Sequence, residues 1–187
     1  MAQDPGHTLV LLRHAKSAWP DMADHDRPLA PRGIRAAPEM GRWLRDAGLV
    51  PDQVLCSTAR RARDTWQLVQ EGLAATPPVT FDGRIYDAGA ANLLAVIRET
   101  PAAAGTLLLI GHNPGIGDLA VLLAAPTGAG PGAAGAGDRE RMRAKFPTAA
   151  VAVLRFAGTW HELARGQARL TAFVTPRDLG ARPAAGS

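Results

Sequence analysis

The chain has 187 residues, 47% of them apolar, and a formal net charge of +4. That length suits one domain with a single sizeable core, taken as one unit over 1–187, and no uncharged apolar run approaches the ~20 residues of a membrane-spanning helix. The basic charge is nearly all arginine, scattered along the chain with no Lys/Arg block interleaved with aromatics, which argues against nucleic acid as a partner.

Residues Met1 to Gly6 lack a basic start followed by an apolar stretch, so no cleaved secretory signal is read and a cytoplasmic location is expected. Residues 1–6 and 180–187 are read as frayed ends. Thr8-Leu9-Val10-Leu11-Leu12 is a nearly all-apolar run, the pattern of a strand buried on both faces, and it ends at Arg13-His14. A polar, proline-marked loop follows from Trp19 to Pro31. Ile34, Ala37, Met40, Gly41 and Leu44 then recur at helical spacing up to Gly48. Gln53 to Cys56 reads as a second strand, with Ser57-Thr58 as cap of a helix that carries Ala62, Trp66, Val69 and Leu73 on one stripe. Cys56 is the only cysteine, so no internal disulfide forms, and its apolar setting marks it as a core residue rather than a nucleophile.

Val79 to Phe81 suggests a short strand, Leu93 to Ile97 a helix, and Thr106 to Ile110 a third strong strand, followed directly by Gly111-His112-Asn113-Pro114. Asn113 as cap and Pro114 as first helical residue predict a helix through Leu119, Val121, Leu122 and Leu123. Residues 126–137 are almost all Gly, Ala and Pro and read as a flexible loop. Ala149 to Phe156 and Leu170 to Val174 complete the strands. Strands alternating with helices predict a three-layer α/β/α sandwich, with a mostly parallel central sheet covered by helices on both faces. Ligands of such folds gather beyond the carboxyl ends of the strands. Three of these ends carry Arg13-His14, Ser57 through Arg61, and Gly111-His112.

Phosphoryl transfer requires a nucleophile in line with the leaving atom and positive donors around the equatorial oxygens. A neutral imidazole whose Nδ1–H is held by a backbone carbonyl presents its other nitrogen as a nucleophile, and the strand end suits His14 to that role. Arg13 and Arg61 offer planar forks of donors for phosphate oxygens. His112 is expected to donate to the same oxygens as an imidazolium. Each feature alone has a structural explanation: a satisfied histidine, a solvated helix face, or a turn before a helix. Their meeting at three strand ends favours chemistry.

These residues also carry a resemblance. Arg13-His14-Ala15-Lys16-Ser17 resembles the Arg-His-Gly signature of the histidine phosphatase (phosphoglycerate mutase-like) superfamily, with alanine in the glycine position. Ser57 to Thr65 resembles that family's Ser-Pro-x-x-Arg-Ala-x-Gln-Thr segment, which puts the phosphate-binding arginine on Arg61. Gly111-His112-Asn113-Pro114 is similar to the second-histidine motif of the SixA-type phosphohistidine phosphatase branch, and Asp26 to Leu29 and Lys145 to Thr148 resemble that branch too. The resemblance implies a metal-independent enzyme without cofactor, with His14 as nucleophile. Arg13, Arg61 and His112 would hold phosphate, and Ser17 and Arg27 would assist.

Two departures, Thr58 for proline and Asp64 for glutamine, concern the turn and the helix face. The glutamate with which larger members protonate the leaving oxygen has no obvious counterpart. Asp87, read at a strand end after Ile85-Tyr86, is the nearest candidate, and a surface turn residue is an equal reading. A phosphorylated imidazole leaves readily once protonated, so a weak or absent acid suits a phosphoramidate. Lys16 and Arg27 flank the site as attractors of a phosphorylated partner or as solvated charges, and Trp19 lines the entrance or packs. Asp24, His25 and Asp26 are adjacent on a loop and point apart, which disfavours a metal site. His7 and His161 have no assigned role. The leading expectation is dephosphorylation of phosphohistidine on a protein. Its rivals are a phosphomonoesterase for small phosphorylated metabolites and a non-catalytic phosphate-binding module, with a mutase disfavoured by chain length. Membrane partners are not expected, and oligomeric state is left open.

Overall fold

In the computed structural model residues 6–126 and 136–180 are described. Most of the stretch read as a flexible loop, and nearly all of the ends read as frayed, lie outside them.

The sheet has six strands in the order β3-β2-β4-β1-β5-β6. They are β1 (His7–Arg13), β2 (Gln53–Ser57), β3 (Val79–Asp82), β4 (Thr106–Gly111), β5 (Val151–Phe156) and β6 (Arg169–Val174). The first four run parallel, whereas β5 pairs antiparallel with β1 and β6 antiparallel with β5. Side chains alternate across a strand. Leu9, Leu11, Leu107 and Leu109 therefore enter one core and Val10, Leu12, Leu108 and Ile110 the other, which is why β1 and β4 read as unbroken apolar runs.

On one face lie α1 (Pro31–Asp46) and α2 (Arg60–Leu73), and on the other α3 (Ala90–Arg98) and α4 (Gly115–Leu123). This is the expected three-layer α/β arrangement. Helices α1 and α2 press together where a Cβ on Gly41 would meet the Val69 carbonyl and one on Gly72 the Pro38 carbonyl. Two short helices that the sequence reading lacked complete the chain, α5 (Ala136–Ala144) and α6 (Pro176–Gly180).

Three local expectations are corrected. Ile34 is 49% exposed, because α1 turns Gly33 inward against the backbone of Lys16 and so rotates Ile34 toward solvent. Neither Ser57 nor Thr58 occupies the cap position of α2, which falls on Ala59; Ser57 ends β2, and its Oγ accepts the Ala59 N–H at 3.3 Å. Asn113 does not cap α4 either. The helix begins at Gly115 after a cis Asn113–Pro114 bond, and the Asn113 amide donates to the Phe146 carbonyl at 3.0 Å.

Strand register positions the site. Arg13 of β1 lies opposite Gly111 of β4, and Cys56 of β2 opposite Ile110. The residues that follow, His14, Ser57 and His112, therefore leave the sheet side by side at its carboxyl edge.

Candidate active site

His14 and His112 are buried, with ring centroids 5.0 Å apart. The Nδ1 of His14 lies 2.7 Å from the Ala15 carbonyl. A carbonyl only accepts, so Nδ1 carries the proton and Nε2 keeps a free lone pair. Ala15 is itself anchored, its N–H donating to Thr65 Oγ1 at 3.0 Å while that hydroxyl donates to the Arg61 carbonyl at 2.6 Å. Burial above all, opposed by the Ala15 hydrogen bond, lowers the His14 pKa to about 3. The ring is neutral at neutral pH.

Behind His14, Ala149 adopts a left-handed conformation (φ 59°), which turns its N–H onto the carbonyls of Arg13 (3.0 Å) and His14 (3.1 Å). A non-glycine residue in that region is uncommon and is held there by its surroundings. Arg13 donates through one terminal nitrogen to the Phe146 carbonyl at 2.8 Å, while its buried Nε has no partner among the described residues.

The Nε2 of His112 pairs with Ser57 Oγ at 2.8 Å, and its buried Nδ1 has no partner among the described residues. Burial, then the nearby Arg61 charge, lower its pKa to about 4. At neutral pH this favours a neutral ring, which has one N–H to donate.

Arg61 stands in the first turn of α2 and reaches the cavity, as its position predicts. Its guanidinium donates to the Asp24 backbone carbonyl at 2.6 Å and to the Asp24 carboxylate at 3.0 Å. That carboxylate also accepts from Arg27 (2.8 Å) and from the Tyr86 hydroxyl (2.8 Å). These bonds, Arg27 foremost, hold its pKa well below the usual carboxylate range. Tyr86 in turn meets His112 edge-on at 5.6 Å and His25 at 5.0 Å.

Arg27 is buried beneath Trp19, its guanidinium carbon 3.3 Å from the indole centroid. It donates to the Ala18 carbonyl at 2.9 Å and to Ser17 Oγ at 2.6 Å. Asp87 is exposed, with φ 51°, and follows the short 3-10 turn Gly83–Ile85 rather than a strand. It is held close by α4, since a Cβ on Gly115 would collide with the Ala88 carbonyl.

Arg13, His14, Ser17, Arg27, Arg61, Asp87 and His112 all line one cavity of about 530 Å³, bordered also by Asp24, Tyr86 and Thr148. The structure therefore brings together every residue singled out for the site. It leaves out Cys56, buried in the core, and His7, which packs on Phe156 and Trp160. The sequence reading missed Ser57 as the partner of His112, Phe146 as the carbonyl holding Arg13, and Asp24 with Tyr86 at the mouth. Of these, Asp24 had a signal, its i,i+3 spacing from Arg27. Among the described residues no group of three or more His, Cys, Asp or Glu side chains could hold a metal ion, and no helix is long and apolar enough to cross a membrane.

Residues 9–90 match the family model of the histidine phosphatase superfamily (branch 1). An uncharacterized protein of Mycobacterium tuberculosis is 46% identical over 167 residues, 89% of this chain and all of the relative. A solved structure from Nakamurella multipartitia, assigned as a phosphohistidine phosphatase SixA, superposes with TM-score 0.79 at 34% identity, covering 91% of this chain and 96% of that one. A second with the same assignment, from Agrobacterium tumefaciens, gives TM-score 0.72 at 27% identity over 91% and 99% of the two chains.

Proposed function

Because the chain belongs to the histidine phosphatase superfamily and is SixA-like, we propose that it is a metal-independent, single-domain enzyme that hydrolyses phosphohistidine on a protein through a covalent intermediate on His14. The observation that carries this reading is the Nδ1 bond of His14 to Ala15, which frees Nε2 beside Arg13, Arg61 and His112. The Nε2 lone pair attacks phosphorus, a new N–P bond forms, and the bond to the substrate nitrogen breaks with its electron pair leaving on the substrate imidazole. Water then attacks the phosphohistidine, the bond to Nε2 breaks, and inorganic phosphate departs with His14 restored.

Three groups receive the charge that spreads over the oxygens. Arg61 and Arg13 supply guanidinium donors, and the partnerless Nε of Arg13 is one whose need an oxyanion meets. With Ser57 donating to its Nε2, neutral His112 carries its proton on Nδ1, which also lacks a partner among the described residues. Ser17 and Arg27 bear on the substrate side of the same cavity.

The choice of phosphohistidine follows from the carboxylates. Asp24 and Asp87 are those that line the cavity among the described residues. Asp24 is held ionised by Arg27, Tyr86 and Arg61, so it has no proton to give at neutral pH. Asp87 stands exposed at the rim. A leaving imidazole takes its proton from solvent, whereas an alkoxide needs a placed acid. The presence of Asp87 at the cavity keeps one rival, a phosphomonoesterase for small metabolites.

Acid-quench trapping tests the reading, with a histidine-phosphorylated protein and p-nitrophenyl phosphate as paired substrates. An acid-labile, base-stable adduct that disappears in His14→Ala is expected, along with faster turnover of the phosphoprotein and no loss in chelator. Faster ester hydrolysis that falls in Asp87→Asn selects the rival. Unchanged turnover in His14→Ala overturns the covalent scheme, and dependence on an added divalent ion overturns metal independence.

A further inference from the structure

Beside the cavity described above lies a second one of about 550 Å³, and Lys16 and Thr148 line both. Its apolar lining comes from Ala36, Ala144 and Pro147, with Ala149 and Phe173 buried beneath. Around that surface stand exposed cations from four separate places in the chain: Lys16 after β1, Arg32 in the first turn of α1, Lys145 after α5, and Arg177 in α6. None of the four has a side-chain partner among the described residues. The carboxylate lining the trough, Asp178, is already engaged, accepting from Arg141 at 2.7 Å and from the Thr175 hydroxyl at 2.8 Å.

Four like charges converging without counter-charges raise the local potential and mark the trough for an anionic ligand. The position selects among anions, because the trough adjoins the site and shares Lys16 and Thr148 with it. An extended chain entering the first cavity with one side chain leaves its neighbours over the second. We propose that this trough is the docking groove for an acidic polypeptide segment flanking the phosphorylated histidine of the substrate protein. The inference rests on the phosphohistidine reading above and adds what lies next to that residue: glutamates or aspartates opposite Arg32, Lys145 and Arg177, with a small apolar contact on Pro147.

The test uses two synthetic peptides phosphorylated on histidine, one flanked by glutamates and the other by glutamines, together with free phosphohistidine. Arg32, Lys145 and Arg177 are changed together to Gln, and Lys16 is left alone because it borders both cavities. The wild-type protein is expected to favour the glutamate peptide by about tenfold in kcat/KM at low salt, the scale of a few exposed ion pairs acting together. High salt should erase that preference. The triple variant should lose it while hydrolysing free phosphohistidine at the wild-type rate, with a matching thermal melt as the folding control.

Equal rates for the two peptides in the wild type, or a preference that survives in the triple variant, overturn the groove. Loss of activity on free phosphohistidine in a folded variant does so as well, because the three residues would then serve the reacting group. Fluorescence anisotropy with an unphosphorylated, glutamate-rich peptide reads the groove independently of chemistry. If that peptide binds and the triple variant releases it, yet no phosphohistidine substrate is turned over, the catalytic reading has failed and the groove stands. If it does not bind while phosphohistidine is hydrolysed, the groove has failed and the catalytic reading stands.

Discussion

At the floor of the cavity His14 and His112 leave neighbouring strand ends and are 7% and 6% exposed, whereas at its mouth the Asp24 side chain is half exposed on a 3-10 turn of three residues. The floor is held by backbone: the Ala15 carbonyl fixes one ring, and the Ala149 N–H grips the strand that carries it. The mouth is held by side chains, with Asp24 drawing Arg27, Arg61 and Tyr86 together. Backbone-fixed groups sit at positions that the sheet dictates, and groups joined by exposed ion pairs are more readily rearranged. Arg61 belongs to both regions.

The sharpest way to break this comparison is at their junction. Arg61→Ala should lower kcat by on the order of 100- to 1000-fold, the cost of losing one charged donor from an oxyanion site. Steady-state kinetics with phosphohistidine measures it, and a loss under threefold would assign Arg61 to the mouth alone. A smaller effect is expected from Asp24→Asn, which keeps the backbone bond to Arg61 and removes the competing charge. Inorganic phosphate should inhibit the variant a few-fold more tightly, in line with ~1 kcal/mol or less for an exposed pair, while kcat changes little. Weaker inhibition would show that Asp24 holds Arg61 in place for the anion.

A third test concerns stability against pH. The His14 and His112 pKa values are lowered to about 3 and about 4, against about 6.5 in an unfolded chain. Between those limits the unfolded chain binds protons that the folded chain refuses, so stability rises with pH across that window and levels off above it. His14→Ala removes one of the two groups and should flatten the rise. Urea unfolding between pH 4.5 and 7 reads the slope, and identical slopes would place the buried titration elsewhere.

The same division decides what was legible in the sequence. Strands β1 and β4 announce themselves because both of their faces are covered, and a polar pair at the end of such a run can only project from the sheet edge. The mouth depends on meetings across long separations, Tyr86 with Asp24 and Phe146 with Arg13, that no local pattern encodes. Ile34 misled for a related reason. Its apolar side chain fits the stripe, but the close approach of Gly33 to Lys16 decided which face of α1 turned inward. Asn113 likewise fits a cap, yet the Phe146 carbonyl takes its amide. Helix α5 follows a Gly/Ala-rich stretch and carries few apolar residues, so its periodicity gave little to read.

The strand bearing His14 has as its neighbours β4, which begins at Thr106, and β5, which begins at Val151. A ribosome delivers this histidine early and the last segment that positions it late. Until residues beyond Val151 have emerged, β1 lacks one flank and the Ala149 N–H has not closed on its end. A chain cut before β5 would therefore lack one of the contacts that hold the end of β1, and with it His14, in place.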